Sequence, residues 1–199
     1  MKLRSVTVAL ALAIAPLVVQ GGGAVAQGGE RWVNVPASSQ TTSKTHPCFD
    51  GVSHSATCTS VDTLEVGAHQ ELRMEGTLAC YGRYYGTYTV SHWEYGGFGN
   101  LLWHTWITGQ DWYDGCTVGI NWGPGGGCQA YEGWQCSTVV DNGAFWNASL
   151  WAEDHYRDQE TVYDVPIYGR IGQYMSGMRF YLQPNGHYWG NQWSYCEIC

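Results

Sequence analysis

From Val61 to the C-terminus, apolar and polar residues alternate with period two almost throughout. Leu72, Met74, Leu78 and Cys80 alternate with Glu71, Arg73, Glu75 and Thr77, which is the pattern of a strand with one wet face. Comparable runs cover Thr87–Tyr95, Leu101–Thr108, Cys116–Trp122, Trp134–Val140, Gly143–Ala152, Glu160–Val165, Ile167–Met175, Met178–Gln183 and His187–Tyr195. Turn signals at Asp141-Asn142-Gly143 and Pro184-Asn185-Gly186 punctuate them at hairpin spacing. The string Gly123-Pro124-Gly125-Gly126-Gly127 reads as a turn, because it lacks the Lys-Ser/Thr ending of a phosphate loop. No run longer than about ten residues carries the 3.6-residue period of a surface helix. Glu153–Gln159 is the one place for a helical turn or a charged loop. The pattern predicts an all-β fold: an antiparallel sandwich or small barrel of about eight to ten short strands.

The start of the chain breaks this pattern. Lys2 and Arg4 precede an apolar run from Val6 to Val19 that ends in small residues and Ala24-Val25-Ala26, so residues 1–26 read as a secretory signal peptide. Gln27 to Pro47 is rich in Gly, Ser and Thr around an island at Trp32-Val33-Asn34-Val35, and reads as a flexible arm able to dock on a partner. Residues 48–199 then form a single β-rich domain. No later stretch is long and apolar enough to span a membrane. The expectation is a secreted, extracellular protein.

Composition narrows the class. The formal net charge is −8, with Lys+Arg 9 against Asp+Glu 17, and two of those basic residues lie in the leader. Phosphate binding needs clustered Lys and Arg, so nucleic acid is excluded as a partner. All eight cysteines lie beyond the leader, at Cys48, Cys58, Cys80, Cys116, Cys128, Cys136, Cys196 and Cys199. An even count in an exported chain reads as disulfides, and Cys48 with Cys58 is the first pair expected, because it closes a short loop. The Cys196-Glu197-Ile198-Cys199 spacing also has the form of a redox pair or half a zinc site. It lacks the second cysteine pair or helix N-terminus those chemistries require. No metal or cofactor is expected.

Candidate chemistry gathers between Tyr88 and Trp106. If Gly96–Asn100 form the bend of a regular hairpin, His92 faces His104, with Glu94 on the same face. That is a minimal set for acid–base or metal chemistry and depends wholly on the register. No Gly-x-Ser-x-Gly elbow is present. Asp111, Asp114, Glu153 and Asp154 sit beside aromatics and suit paired-carboxylate cleavage of glycosides only if a separation and a raised pKa are found. The aromatic content carries more weight: Trp 11 and Tyr 14 against Phe 4. Tyr and Trp join apolar area to a polar tip, which suits a surface alternately wet and covered. Trp32, Trp103, Trp112, Tyr113, Trp146, Trp151 and Trp189 are the candidate binding residues.

These features favour a non-catalytic binding module that engages a secreted or cell-surface protein through an aromatic surface, with or without the arm. A glycan is the alternative ligand. Competing readings are a small secreted hydrolase or toxin using His92, His104 and a carboxylate, and an assembly protein whose surface joins copies of itself.

Overall fold

The computed structural model describes residues 31–73, 80, 83–166 and 168–198. The proposed leader, Gln27–Glu30 and Cys199 lie outside the described residues, as does part of the alternating run that follows Arg73. The fold is all-β, without a helix among the described residues. Its strands are β1 (Arg31–Val35), β2 (Ser38–Cys48), β3 (Ala56–Val66), β4 (His69–Arg73), β5 (Tyr84–Tyr95), β6 (Leu101–Tyr113), β7 (Val118–Ala130), β8 (Trp134–Asn147), β9 (Ala152–Val165), β10 (Gly169–Leu182) and β11 (Tyr188–Ile198).

All pairings are antiparallel. A five-stranded sheet in the order β2-β3-β5-β6-β7 faces a four-stranded sheet in the order β11-β10-β9-β8, and β1 and β4 form a separate ribbon. Side chains that alternate along each strand meet between the two sheets, which is the condition for a sandwich.

The segment read as a flexible arm is instead folded where it is described. β1 pairs with β4 from Arg31↔Arg73 to Val35↔His69, and the Trp32 ring packs at a tilt 4.1 Å from Tyr84 and 5.9 Å from Tyr113. β2 pairs with β3 along its whole length and leaves nearly all its Ser, Thr and Gln side chains in solvent. A polar, threonine-rich strand with water on both faces suits a sheet edge, so low hydrophobicity there signals an edge strand, not looseness.

The glycine-based breaks also differ from expectation. Asp141-Asn142-Gly143 lies inside β8, Gly123–Gly127 lies inside β7, and Glu153–Gln159 is β9, with no helical turn. Strand glycines here make room for rings from neighbouring strands. A Cβ at Gly127 would stand 2.3 Å from Trp106 Cζ2, and one at Gly143 would stand 2.8 Å from Tyr156 Oη. Pro184-Asn185-Gly186 is a true turn, closed by Gly186 N–H donating to Gln183 O at 2.9 Å.

The interior holds two apolar clusters with a polar belt between them. One contains Leu64, Val66, Tyr88, Val90, Ile107, Tyr113, Met178, Phe180 and Leu182, and the other Phe49, Leu102, Trp103, Trp134 and Tyr174 around Cys48 and Cys58. Between them the same strands carry buried His92, Glu94, Thr105, Gln159, Thr161 and Ser176. Large rings, not Val and Leu alone, fill the core: Trp103, Tyr88, Tyr113 and Tyr174 are among its largest fully buried side chains.

Disulfides join Cys48–Cys58, Cys80–Cys116 and Cys128–Cys136, and Cys196 is also bridged. There is no free cysteine among the described residues. Cys128–Cys136 ties β7 to β8 where the two sheets adjoin at one edge. Such cross-linking is the chemistry of an oxidising compartment, compatible with an extracellular protein. Among the described residues no helix is long and apolar enough to cross a membrane.

Candidate functional site

The proposed His92–His104 pair does not form. Between the pairs Glu94↔Trp103 and Tyr95↔Leu101 the ladder shifts, with Leu102 as the extra residue of a bulge. Beyond it His92 faces Thr105 and Trp93 faces His104, so the two histidines point to opposite sides of the sheet. The bulge turns both Leu102 and Trp103 into the core, where each is fully buried.

His104 lies on the outer side. Its ring stacks on Trp93 at a centroid separation of 3.4 Å and 6°, and on Trp106 at 4.8 Å. Burial among these rings lowers its pKa to about 4, so it is neutral at physiological pH.

His92 lies inside, with Nδ1 2.7 Å from Asp62 Oδ1 and Nε2 3.4 Å from Glu94 Oε2. Burial alone would lower its pKa, but these two carboxylates outweigh burial and raise it to about 9. Glu94, fully buried, accepts from His46 Nε2 at 2.9 Å and from the Ser60 hydroxyl at 2.7 Å. Burial favours its protonated form, yet the donors from His46 and His92 win and hold its pKa below the ordinary value. The Glu94 hydrogen bond raises the His46 pKa in turn.

This arrangement is internally charge-paired. His46 Nδ1 donates to Pro47 O at 3.1 Å while Nε2 donates to Glu94, and the Ser60 proton goes to the carboxylate. The Ser60 hydroxyl, 3.0 Å from His46 Nε2, gives its proton to Glu94 and not to an imidazole, whereas a nucleophile-activating base must take it. No group of three or more His, Cys, Asp or Glu among the described residues is placed to hold a metal ion.

The four carboxylates singled out from the sequence separate. Asp114 closes a turn, accepting from the N–H groups of Cys116 and Thr117. Asp111 is sealed between the sheets, its Oδ2 3.0 Å from His155 Nε2, and burial raises its pKa despite that neighbour. Glu153, also raised by burial, lines a small pocket of about 200 Å³ with Trp146 and Val118. Asp154 points to the opposite side of β9, onto the outer face of the four-stranded sheet.

The candidate aromatic residues do not share one surface. Trp103 and Tyr113 are fully buried, and the Tyr113 hydroxyl donates to Gln70 O at 2.6 Å. Trp32 packs against Tyr84 and Tyr113, and Trp112 is half-buried under Arg83, whose Cζ stands 4.2 Å from its ring centroid. Trp146 and Trp151 are exposed by 43% and 44% near the β8–β9 turn, and Trp189 lies on the outer face of the four-stranded sheet.

That outer face is where rings and charges meet. No described strand packs against it, because the inward residues of β9 and β10, such as His155, Phe180 and Met178, make the contacts with the other sheet. Across the four strands one row reads Phe145, Asp154, Tyr181 and Trp189. The next reads Gly143, Tyr156, Arg179 and Asn191, and the third Asp141, Asp158, Gly177 and Trp193.

Tyr181 and Trp189 lie 5.0 Å apart at 16°, and Trp193 and Tyr195 lie 5.5 Å apart at 13°. The Trp193 indole crosses onto β10 over Gly177, where a Cβ would stand 1.9 Å from its Cε2. Arg179 holds its guanidinium 4.8 Å above the Tyr156 ring and 3.7 Å from Asp154 Oδ1. Burial raises the pKa of both Asp154 and Asp158, and Arg179 counters it only in part. The Oδ1 atoms of both aspartates are buried without a hydrogen-bond partner.

Of this set only Asp154 and Trp189 were singled out from the sequence. The signal for Tyr156, Asp158, Arg179, Tyr181 and Trp193 was present as the second half of the alternation: Arg179 and Tyr181 interleave with buried Met178, Phe180 and Leu182. The chain matches no protein-family model, no curated protein and no solved structure.

Proposed function

We propose that this chain is a non-catalytic binding module, exported by a leader at residues 1–26, whose ligand is a glycan held on the outer face of β8–β11. The observation that carries the reading is the interleaving of half-exposed rings with carboxylates and an arginine on a sheet face that no described strand covers. Sugar rings present an apolar C–H face to an aromatic ring and hydroxyls at their rim. Stacking therefore needs rings, and orientation needs charged acceptors and donors beside them. The Trp93–His104–Trp106 stack on the other sheet fits less well, because its rings cover one another's faces.

The same surface is open to a protein partner, and the experiment separates the two. Intrinsic tryptophan fluorescence and affinity electrophoresis against soluble polysaccharides measure binding directly. A Trp189→Ala, Trp193→Ala double variant is expected to lose about 2 kcal/mol, roughly 30-fold in affinity. A Trp93→Ala variant on the other sheet is expected to bind as the parent does. Saccharide binding that survives the double substitution overturns the site. Failure to bind any saccharide, with stoichiometric capture of a protein from the native medium, replaces the glycan with a protein ligand.

A further inference from the structure

We infer that the glycan is one carrying free amines, a cationic amino-sugar chain, recognised by Asp154 and Asp158 beside their neighbouring rings. This rests on the glycan reading above and deepens it by naming the class of sugar.

Two arguments carry it. The first is unmet hydrogen bonding. Asp154 is only 3% exposed, and its Oδ1 has no hydrogen-bond partner, nor does the buried Oδ1 of Asp158. An ionised carboxylate can only accept, and Arg179 Nη1, 3.7 Å from Asp154 Oδ1, stands too far off for a hydrogen bond, so each oxygen has room for a further donor. An ammonium group supplies the strongest such donor, because the bond is charge-assisted.

The second is charge. Among the acidic groups on this face Glu160 and Asp164 are already tied to Arg170, at 3.2 and 3.6 Å, and Glu160 and Glu197 to Gln173. That leaves Asp154 and Asp158 to share Arg179, with Asp141 adding negative charge opposite Asp158. The surplus is negative locally, as it is for the chain, whose formal net charge is −8. Such a field repels uronic-acid and sulfated polymers and concentrates a polycation.

Each of the two aspartates has an aromatic ring near it. Asp154 neighbours Phe145 and Tyr181 across the strands, and Asp158 neighbours Gly177, over which Trp193 lies. Four residues apart on β9, they stand roughly 13 Å apart. A regular polymer can thus present amine and ring to both in turn.

The test titrates the full exported chain with three six-sugar probes of the same linkage: a glucosamine hexamer, its N-acetylated counterpart and a glucose hexamer. Isothermal calorimetry at a pH where the amine is protonated is expected to show the glucosamine hexamer binding about tenfold tighter than the other two. That advantage is expected to vanish in an Asp154→Asn, Asp158→Asn double variant and to shrink at high salt. The variant's circular dichroism spectrum and thermal midpoint are compared with the parent's. If it fails to fold, the salt series on the parent gives the decisive result. Equal affinity for the three probes, or an advantage indifferent to salt, overturns the cationic preference while leaving the glycan site standing. Tighter binding of a polyuronate also overturns it. Failure of all the saccharides removes the glycan reading with it.

Discussion

Complete reduction of the folded protein is expected to unfold it. The three described bridges close loops with sequence separations of 10, 36 and 8 residues. By loop-closure entropy they contribute about 2.7, 3.8 and 2.5 kcal/mol respectively. Their combined effect is on the order of 9 kcal/mol, comparable to the whole stability of an ordinary domain at roughly 5–15 kcal/mol.

The interior gives a second reason for that dependence. A belt of buried polar groups splits the apolar core into two clusters, so each is smaller than the chain's length would allow. Breaking Cys128–Cys136 also frees the edge at which β7 and β8 hold the two sheets together. The measurement is far-ultraviolet circular dichroism and tryptophan fluorescence after reduction, with thiol labelling to prove that every bridge is open. A native spectrum from fully labelled protein would show that packing alone suffices.

Replacing Glu94 by alanine is expected to be the most damaging single substitution, at about 3–5 kcal/mol. The glutamate is fully buried and accepts from His46 and Ser60, with His92 close by. Removing it leaves a cavity in which the buried His92 keeps only Asp62 as its counter-charge and His46 loses the carboxylate that raises its pKa. Glu94→Gln keeps the volume and part of the hydrogen bonding, so its cost is expected to be smaller.

A pH signature distinguishes this charge network from simple loss of volume. His92, raised to about 9, contributes stability that is fully present below its ordinary value of 6.5 and is lost as pH rises through about 9. Glu94, lowered from 4.5, contributes stability present above that value and lost as pH falls through its folded pKa. The gap in unfolding free energy between parent and Glu94→Ala, measured by urea denaturation, is therefore expected to be widest between pH 4.5 and 6.5 and to narrow above about pH 9. A gap independent of pH would mean that Glu94 matters for its volume alone.

How much of this was legible before the fold was known depends on how far each inference reached along the chain. Within a strand, alternation places Arg179 and Tyr181 against Phe180 and Leu182 with no knowledge of neighbours, and it identified β5 and β11 closely and β6 from its start at Leu101 to Thr108. Glycine misled in both directions. Inside β8, Gly143 resembles a turn residue, yet its lack of a side chain makes room for the Tyr156 ring, a residue of another strand. The polar Ser38–Thr45 stretch resembles a loose tail until β3 is there to pair with it.

The candidate site shows the same limit more sharply. His92 and Glu94 do share a face, as an interval of two requires, and they do lie near one another. His104 is absent from that face because one extra residue, Leu102, shifts the ladder, and a shift of one reverses every side chain beyond it. Eight cysteines and a period of two that runs almost throughout were enough for an all-β, cross-linked sandwich or small barrel, and the pairing of the strands into two facing sheets made it a sandwich. Which face of each strand turned inward, and hence which rings and carboxylates were left on the outer face of β8–β11, was decided only when the strands paired. Periodicity is a property of one strand, whereas register and burial are properties of strands in contact.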